Sequence, residues 1–196
     1  MCPEAVDHLQ SGIKCHRLGL LDRALTEFVT AVALADDPDL RSVAMTHQSN
    51  VLRAQCHWDS AIEIARHSRT TPQHAGLTTR AAEAWIAEAN VHLARGEFEA
   101  ALPVFHALLE STTDARIRGV ALQNIGNIRA QCGVLAHAED AFAQSFACFE
   151  QAGYLLGQAI ARNNQGRARL DRGDAAQAVP ILESAVKLAR EAEDGA

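Results

Sequence analysis

The chain has 196 residues, a formal net charge of −6, and 48% hydrophobic but only 5% aromatic residues. The acidic balance argues against nucleic-acid binding, which needs a basic surface, and no apolar run approaches the ~18 residues that span a bilayer. A core with few rings must be built from small residues, chiefly alanine, which is also the strongest helix former. The composition therefore predicts a helical protein that binds neither nucleic acid nor membrane.

We predict ten helices in five antiparallel pairs. In chain order they cover residues 4–18 and 21–36, 39–55 and 58–70, 76–95 and 98–111, 114–132 and 135–151, and 154–172 and 175–192. The sequence around Pro38 breaks the chain after the first pair, and residues 70–76 break it after the second. Residues 111–114, which end in Asp114, are a plausible cap for the helix that follows them.

One spacing recurs five times along the chain. A small residue is followed seven positions later by a residue that is usually glycine, five further on by alanine, and four further on by a residue that is usually large and apolar. The small residue lets two helices approach closely, and the glycine ends the first helix in the left-handed conformation. Successive sets lie 37, 40, 37 and 40 residues apart. The sets are Gly12, Gly19, Ala24 and Phe28; Ser49, Cys56, Ala61 and Ala65; Ala89, Gly96, Ala101 and Phe105; Gly126, Gly133, Ala138 and Phe142; and Gly166, Gly173, Ala178 and Leu182.

These residues resemble the tetratricopeptide repeat family. The fourth and fifth sets match it best, the third also matches, with Trp85 added, and the second is the poorest because Ser49 and Cys56 occupy its glycine positions. The repeats exceed the family's usual length of about 34 residues and resemble those of LGN-like scaffolds and bacterial peptide-responsive regulators. The resemblance implies an all-α fold, a right-handed α-α superhelix of five helix pairs. It implies one domain over residues 1–196, with repeats at about 5–38, 42–75, 82–115, 119–152 and 159–192.

In this family the first helix of each pair lines the concave face, where ligands usually lie. Directly after the small position, three consecutive repeats carry asparagine, whose amide both donates and accepts hydrogen bonds and suits the backbone of an extended peptide. In each repeat, residues three or four positions away along the helix lie on the same face, and several of them are also polar. The alternative is an ordinary solvated face. The predicted peptide-binding groove comprises Asn50, Arg53, Asn90, Gln123, Asn124, Asn127, Asn163, Asn164 and Arg167.

Charged side chains on the same helix faces predict a second kind of contact, with acidic groups of a partner. His16, Arg17, Arg53 and Arg167 are suited to attract carboxylates of a partner. The lysine- and asparagine-based carboxylate clamp of the family's chaperone-binding members is not expected, because the chain has lysine only at positions 14 and 187.

No catalytic motif is present, neither a phosphate-binding glycine loop nor HExxH nor GxSxG. Five cysteines without a CxxC pair predict reduced thiols, no metal site and a soluble, cytoplasmic protein. We expect Cys132 and Cys148 to be buried and inert. The sequence therefore predicts a protein that is not an enzyme and needs no cofactor.

The function predicted from the sequence is that of an adaptor or scaffold that holds a protein or peptide partner in the asparagine-rich groove. Two alternatives are a peptide-responsive regulatory sensor and a structural subunit of a larger complex. The last predicted helix carries an apolar stripe at Val179, Leu182, Val186 and Ala189. Because terminal repeats normally present a polar outer face, this uncapped C-terminal repeat predicts a possible homodimer.

Overall fold

The computed structural model describes residues 2–69 and 79–194, and within them the chain forms ten helices and no strands. Predicted helix ends that fall in these residues are right to within two positions. The predicted break at 70–76, the end of the fourth helix at 70 and the start of the fifth at 76 lie outside the described residues. The helices are α1 (Pro3–Arg17), α2 (Leu21–Leu34), α3 (Pro38–Ala54), α4 (Trp58–Arg69), α5 (Thr79–Arg95), α6 (Phe98–Ser111), α7 (Ala115–Gln131), α8 (Leu135–Gln151), α9 (Leu155–Asp171) and α10 (Ala175–Asp194).

Each first helix ends in a residue with left-handed backbone conformation. Four of the five are the glycines of the repeated pattern, and the fifth is Cys56, at φ 62°. The amide of Cys56 donates to Arg53 O at 3.1 Å, as the amide of Gly133 does to Ala130 O at 3.0 Å. The second repeat therefore keeps the turn of the others, although a side chain in this conformation costs about 1 kcal/mol.

In the first and fourth repeats the glycine of the first helix lies against an aromatic ring of the second. A β-carbon added at Gly126 would lie 2.5 Å from the ring of Phe142, and the equivalent distance from Gly12 to Phe28 is 2.6 Å. The second repeat has Ser49 at the glycine position and Ala65 at the position of the ring, and the Ser49 hydroxyl donates to Ala61 O at 2.8 Å. A glycine in the first helix thus leaves room for the ring of the second helix.

The chain divides into two compact units, residues 1–104 and 105–196. In the first, Phe28 and Val51 lie in a core cluster that is otherwise mainly alanine and leucine. In the second, Phe142 packs with Ala138 and Ala168. The start of α7 is capped as predicted, because an Asp114 carboxylate oxygen accepts from the amide of Ile117 at 3.1 Å.

Buried carboxylates join one helix pair to the next within each unit. In the first unit Glu88 of α5 accepts from Arg66 at 2.8 Å and from Arg69 at 2.5 Å, both on α4. In the second unit Glu139 of α8 accepts from Arg169 and, at 2.7 Å, from Arg172, beside the end of α9. The two glutamates are 3% and 6% exposed. Both carboxylates are therefore shielded from solvent, and each pairs with two arginines.

Across residues 2–69 and 79–194, no helix combines the length and apolar character that a bilayer-spanning segment requires.

Candidate functional site

The first helices of two successive repeats, α3 and α5, border a cavity of about 280 Å³ in the first unit. Four positions of α3 line it together with the four positions of α5 that lie one repeat later. The predicted residues Asn50 and Asn90 form one of these pairs, so the structure brings them to the same cavity. The full lining is Val43, Thr46, His47 and Asn50 of α3 with Glu83, Ile86, Ala87 and Asn90 of α5.

The Thr46 hydroxyl at this cavity donates to Ser42 O of its own helix at 3.0 Å, but three other polar side chains of the lining are not used by the described part of the fold. Asn50 and Asn90 are half-buried, and neither side chain forms a hydrogen bond with the part of the chain that the structure describes. The carboxylate of Glu83 is exposed and has no ion-pair partner among the same residues. Polar groups in a recess without protein partners are free to bind a ligand.

His47 forms the wall of the cavity on the α2 side. Its ring stacks on that of Phe28, with 5.3 Å between centroids and 15° between planes. Burial lowers the pKa of His47, and the charge of His16 on α1 lowers it further. Because an ordinary histidine already titrates near pH 6.5, the His47 ring is neutral at pH 7, and the cavity gains no positive charge from it.

The predicted residues of the second unit make different contacts. The Asn164 side chain on α9 donates to Asn127 Oδ1 on α7 at 3.3 Å, and the Asn124 side chain donates to Val120 O of its own helix at 2.9 Å. Gln123 Oε1 accepts from the buried Ser145 hydroxyl at 3.4 Å. Asn163 is exposed and makes one long contact to Asn164 at 3.5 Å. These amides therefore bond to one another, to their own helix or, for Gln123, to a side chain of α8.

The two predicted arginines lie apart from the cavity lining. Arg53 is half-buried on the last turn of α3, and its Nε is enclosed without a hydrogen-bond acceptor in the described structure. Arg167 on α9 is exposed. Neither arginine joins Asn50 and Asn90 at the cavity surface.

Of the eight lining residues, the predicted groove includes only Asn50 and Asn90. The other six lie three, four and seven positions before these asparagines, one and two helical turns away on the same face. They are Val43, Thr46 and His47 on α3 and Glu83, Ile86 and Ala87 on α5.

The described residues contain no cluster of three or more His, Cys, Asp or Glu side chains placed to bind a metal. Cys132 is exposed and Cys148 half-buried, so the expectation that both thiols are buried is wrong. Cys132 lies at the helix end directly before Gly133, where the chain turns at the surface. All five cysteines are free.

Solved structures with the same arrangement of helices are TPR-like repeat proteins. A Rap protein complexed with Competence and Sporulation Factor matches 98% of this chain, with a TM-score of 0.81 and 18% identity, and this chain spans 55% of its length. BtubC (BKLC) from P. vanneervenii matches 98% of this chain and 92% of its own, with a TM-score of 0.73 and 15% identity. MamA from Desulfovibrio magneticus RS-1 matches 97% and 98%, with a TM-score of 0.64 and 15% identity.

These similarities confirm the predicted fold class, an all-α solenoid of TPR-like helix pairs. The chain spans about half the length of the Rap proteins that it matches. No protein-family model matches the chain, and no curated protein sequence matches it.

Proposed function

We propose that the protein is an interaction adaptor that holds an extended segment of a partner polypeptide at the cavity between α3 and α5. The observation that carries the proposal is the pair of half-buried asparagines, Asn50 and Asn90. They stand at equivalent positions of two repeats, and their side chains have no partner among residues 2–69 and 79–194. Each amide offers one donor and one acceptor face to a peptide backbone. The aliphatic wall beside them gives apolar contact to a side chain of the bound segment.

The second unit offers a weaker surface of the same kind. Asn127 and Asn164 are already hydrogen-bonded to each other, so a ligand must compete with that contact. Gln123, Asn124 and Asn163 lie on the same two helices, and the exposed Arg167 supplies a positive charge there. A binding role for these residues is part of the proposal, with the first unit providing the larger share of the affinity.

The Rap structure that this chain resembles contains a bound factor, and this supports a binding role over a catalytic one. The cavity carries no nucleophile paired with a base, so we propose neither catalysis nor a cofactor. A regulatory sensor that responds to a peptide uses the same surface. A sensor, unlike an adaptor, changes shape when the peptide binds. Small-angle scattering with and without peptide measures this change.

Replacing Asn50 and Asn90 together by alanine tests the proposal. Random octapeptides displayed on phage are first selected against the full chain, and the affinities of selected peptides are then measured by fluorescence anisotropy. We expect the double variant to bind at least about tenfold more weakly, because two backbone-pairing amides at about 1 kcal/mol each are lost. The helical circular dichroism should not change.

A variant with two exposed amides removed from second helices, Gln144→Ala with Gln177→Ala, is the matched control and should bind as the wild type does. Equal affinity of the Asn50→Ala/Asn90→Ala variant for every selected peptide would remove the cavity from the binding surface.

A second interaction surface is supported by a separate observation, an apolar recess of about 260 Å³ between α9 and α10. Leu156 and Val186, both at this recess, are 49% and 52% exposed. We propose that a second copy of the chain covers it. Antiparallel packing of two α10 helices about a two-fold axis near Ala185 would place Glu183 of one copy opposite Lys187 of the other, which in the single chain pairs with Glu191 at 3.8 Å.

Light scattering across a concentration series tests this dimer. The wild type should approach twice the chain mass, and Val186→Glu should remain monomeric because a carboxylate cannot be buried unpaired at an apolar contact. A monomeric mass for the wild type at the highest concentration would rule the dimer out.

A further inference from the structure

We infer that the cavity between α3 and α5 selects a partner segment that carries a lysine or arginine, with Glu83 as its counter-charge. This inference rests on the proposed function and names the chemistry of its ligand. The cavity has three kinds of surface, each in a different place. Along the two helices the amides come last, Ile86 and Ala87 lie about one turn earlier, and the Glu83 carboxylate lies level with Val43 at the other end.

The spacing of these surfaces fits a long basic side chain. Seven residues separate Glu83 from Asn90 on α5, which is about 10 Å along the helix axis. A segment whose backbone is held by Asn50 and Asn90 can therefore direct a side chain along the cavity toward Glu83. Aliphatic stems of lysine and arginine pack on apolar surface while the charged end reaches a polar group. Val43, Ile86 and Ala87 provide that apolar surface.

The charge of the cavity favours a cation. Glu83 is the one acidic side chain in its lining, and it is unpaired within the described residues. The neutral His47 ring adds no repulsion at pH 7. His16 on α1 and Arg53 on α3 lie outside the lining. They are on the C-terminal turns of their helices, whereas Glu83 lies near the start of α5.

The alternative is that the partner segment carries a carboxylate that binds Arg53. In that case acidic peptides, not basic ones, would be selected. Arg53 has an enclosed Nε without an acceptor, but the cavity does not open onto it. An acidic side chain placed in the cavity meets Glu83, and like charges at that distance repel. Selection of acidic peptides is therefore an outcome that distinguishes the two.

The test uses the octapeptides selected against the full chain. We expect lysine or arginine to be enriched at one position of the peptides whose binding depends on Asn50 and Asn90. Glu83→Gln should weaken these peptides about threefold to fivefold, the range of a partly exposed ion pair. Glu99→Gln, which removes an exposed carboxylate from α6 and changes net charge equally, should leave the affinity unchanged.

A charge reversal completes the test. A selected peptide with its basic residue changed to glutamate should bind the wild type more weakly and regain affinity for Glu83→Lys. If Glu83 only stabilised the fold, reversing both charges would not restore the affinity. Peptides that need Asn50 and Asn90 but show no basic preference and no response at Glu83 would overturn the inference and leave the proposed function standing. Selected peptides indifferent to Asn50 and Asn90, or no peptide at all, would overturn both.

Discussion

Gly126→Ser is expected to lower the free energy of unfolding by about 1–3 kcal/mol, the usual cost of overpacking a core. Helix propensity alone predicts the opposite sign, because serine is better than glycine in a helix by roughly 0.5 kcal/mol. Packing decides the result. A β-carbon at position 126 would lie 2.5 Å from Phe142 Cε1 and 2.7 Å from Cδ1, and a buried ring cannot move aside without displacing its neighbours. Urea unfolding followed by circular dichroism measures the change.

Making the same substitution in a Phe142→Ala variant separates overpacking from any other effect of serine at position 126. Phe142→Ala is itself expected to cost about 3–5 kcal/mol through the cavity it leaves. In that background Gly126→Ser should cost nothing or stabilise, because the ring is gone and the pair then matches Ser49 and Ala65 of the second repeat. Equal costs in the two backgrounds would mean that the glycine is needed for some reason other than the Phe142 ring.

The phase of the repeat could be predicted from sequence because it follows from local requirements. A small residue at position 126, a left-handed residue at 133 and a large residue at 142 each answer a single steric need. Each requirement restricts the residue type at one position of the repeat, so the pattern can be recognised in the sequence. Even Cys56, a poor match by type, keeps its place, since position in the turn sets its backbone conformation more strongly than residue preference does.

The ion pairs and the state of the amides could not be predicted in the same way. Glu139 contacts residues 30 and 33 positions away, and nothing in its local sequence marks it as buried. Asparagine follows the small residue in three repeats, yet Asn127 is bonded across to Asn164 while Asn50 and Asn90 have no partner in the part of the chain that the structure describes. These differences depend on side-chain geometry between neighbouring helices, which residue type and spacing do not determine.

Glu139→Ala is the second substitution with a large expected effect, a loss of about 2 kcal/mol in the free energy of unfolding. Removing one partner of a fully buried ion pair costs about 3–5 kcal/mol. The lower figure applies here because the side chains of Arg169 and Arg172 are 25% and 45% exposed and recover part of their hydration. Urea unfolding gives the overall change.

Hydrogen exchange locates the effect of Glu139→Ala. Repeat proteins are held together by interfaces between neighbours, so weakening one interface loosens the elements beyond it first. The Glu139 ion pairs connect α8 to α9, and exchange should therefore accelerate more in α9 and α10 than in α7. Asp140→Ala, the adjacent exposed acid on α8, is the matched control and should change stability by less than about 0.5 kcal/mol. If Asp140→Ala cost as much as Glu139→Ala, the loss would reflect helix charge in general. A larger loss for Glu139→Ala, with exchange accelerated more in α9 and α10 than in α7, would identify the buried carboxylate as the group that joins the last helix pair to the one before it.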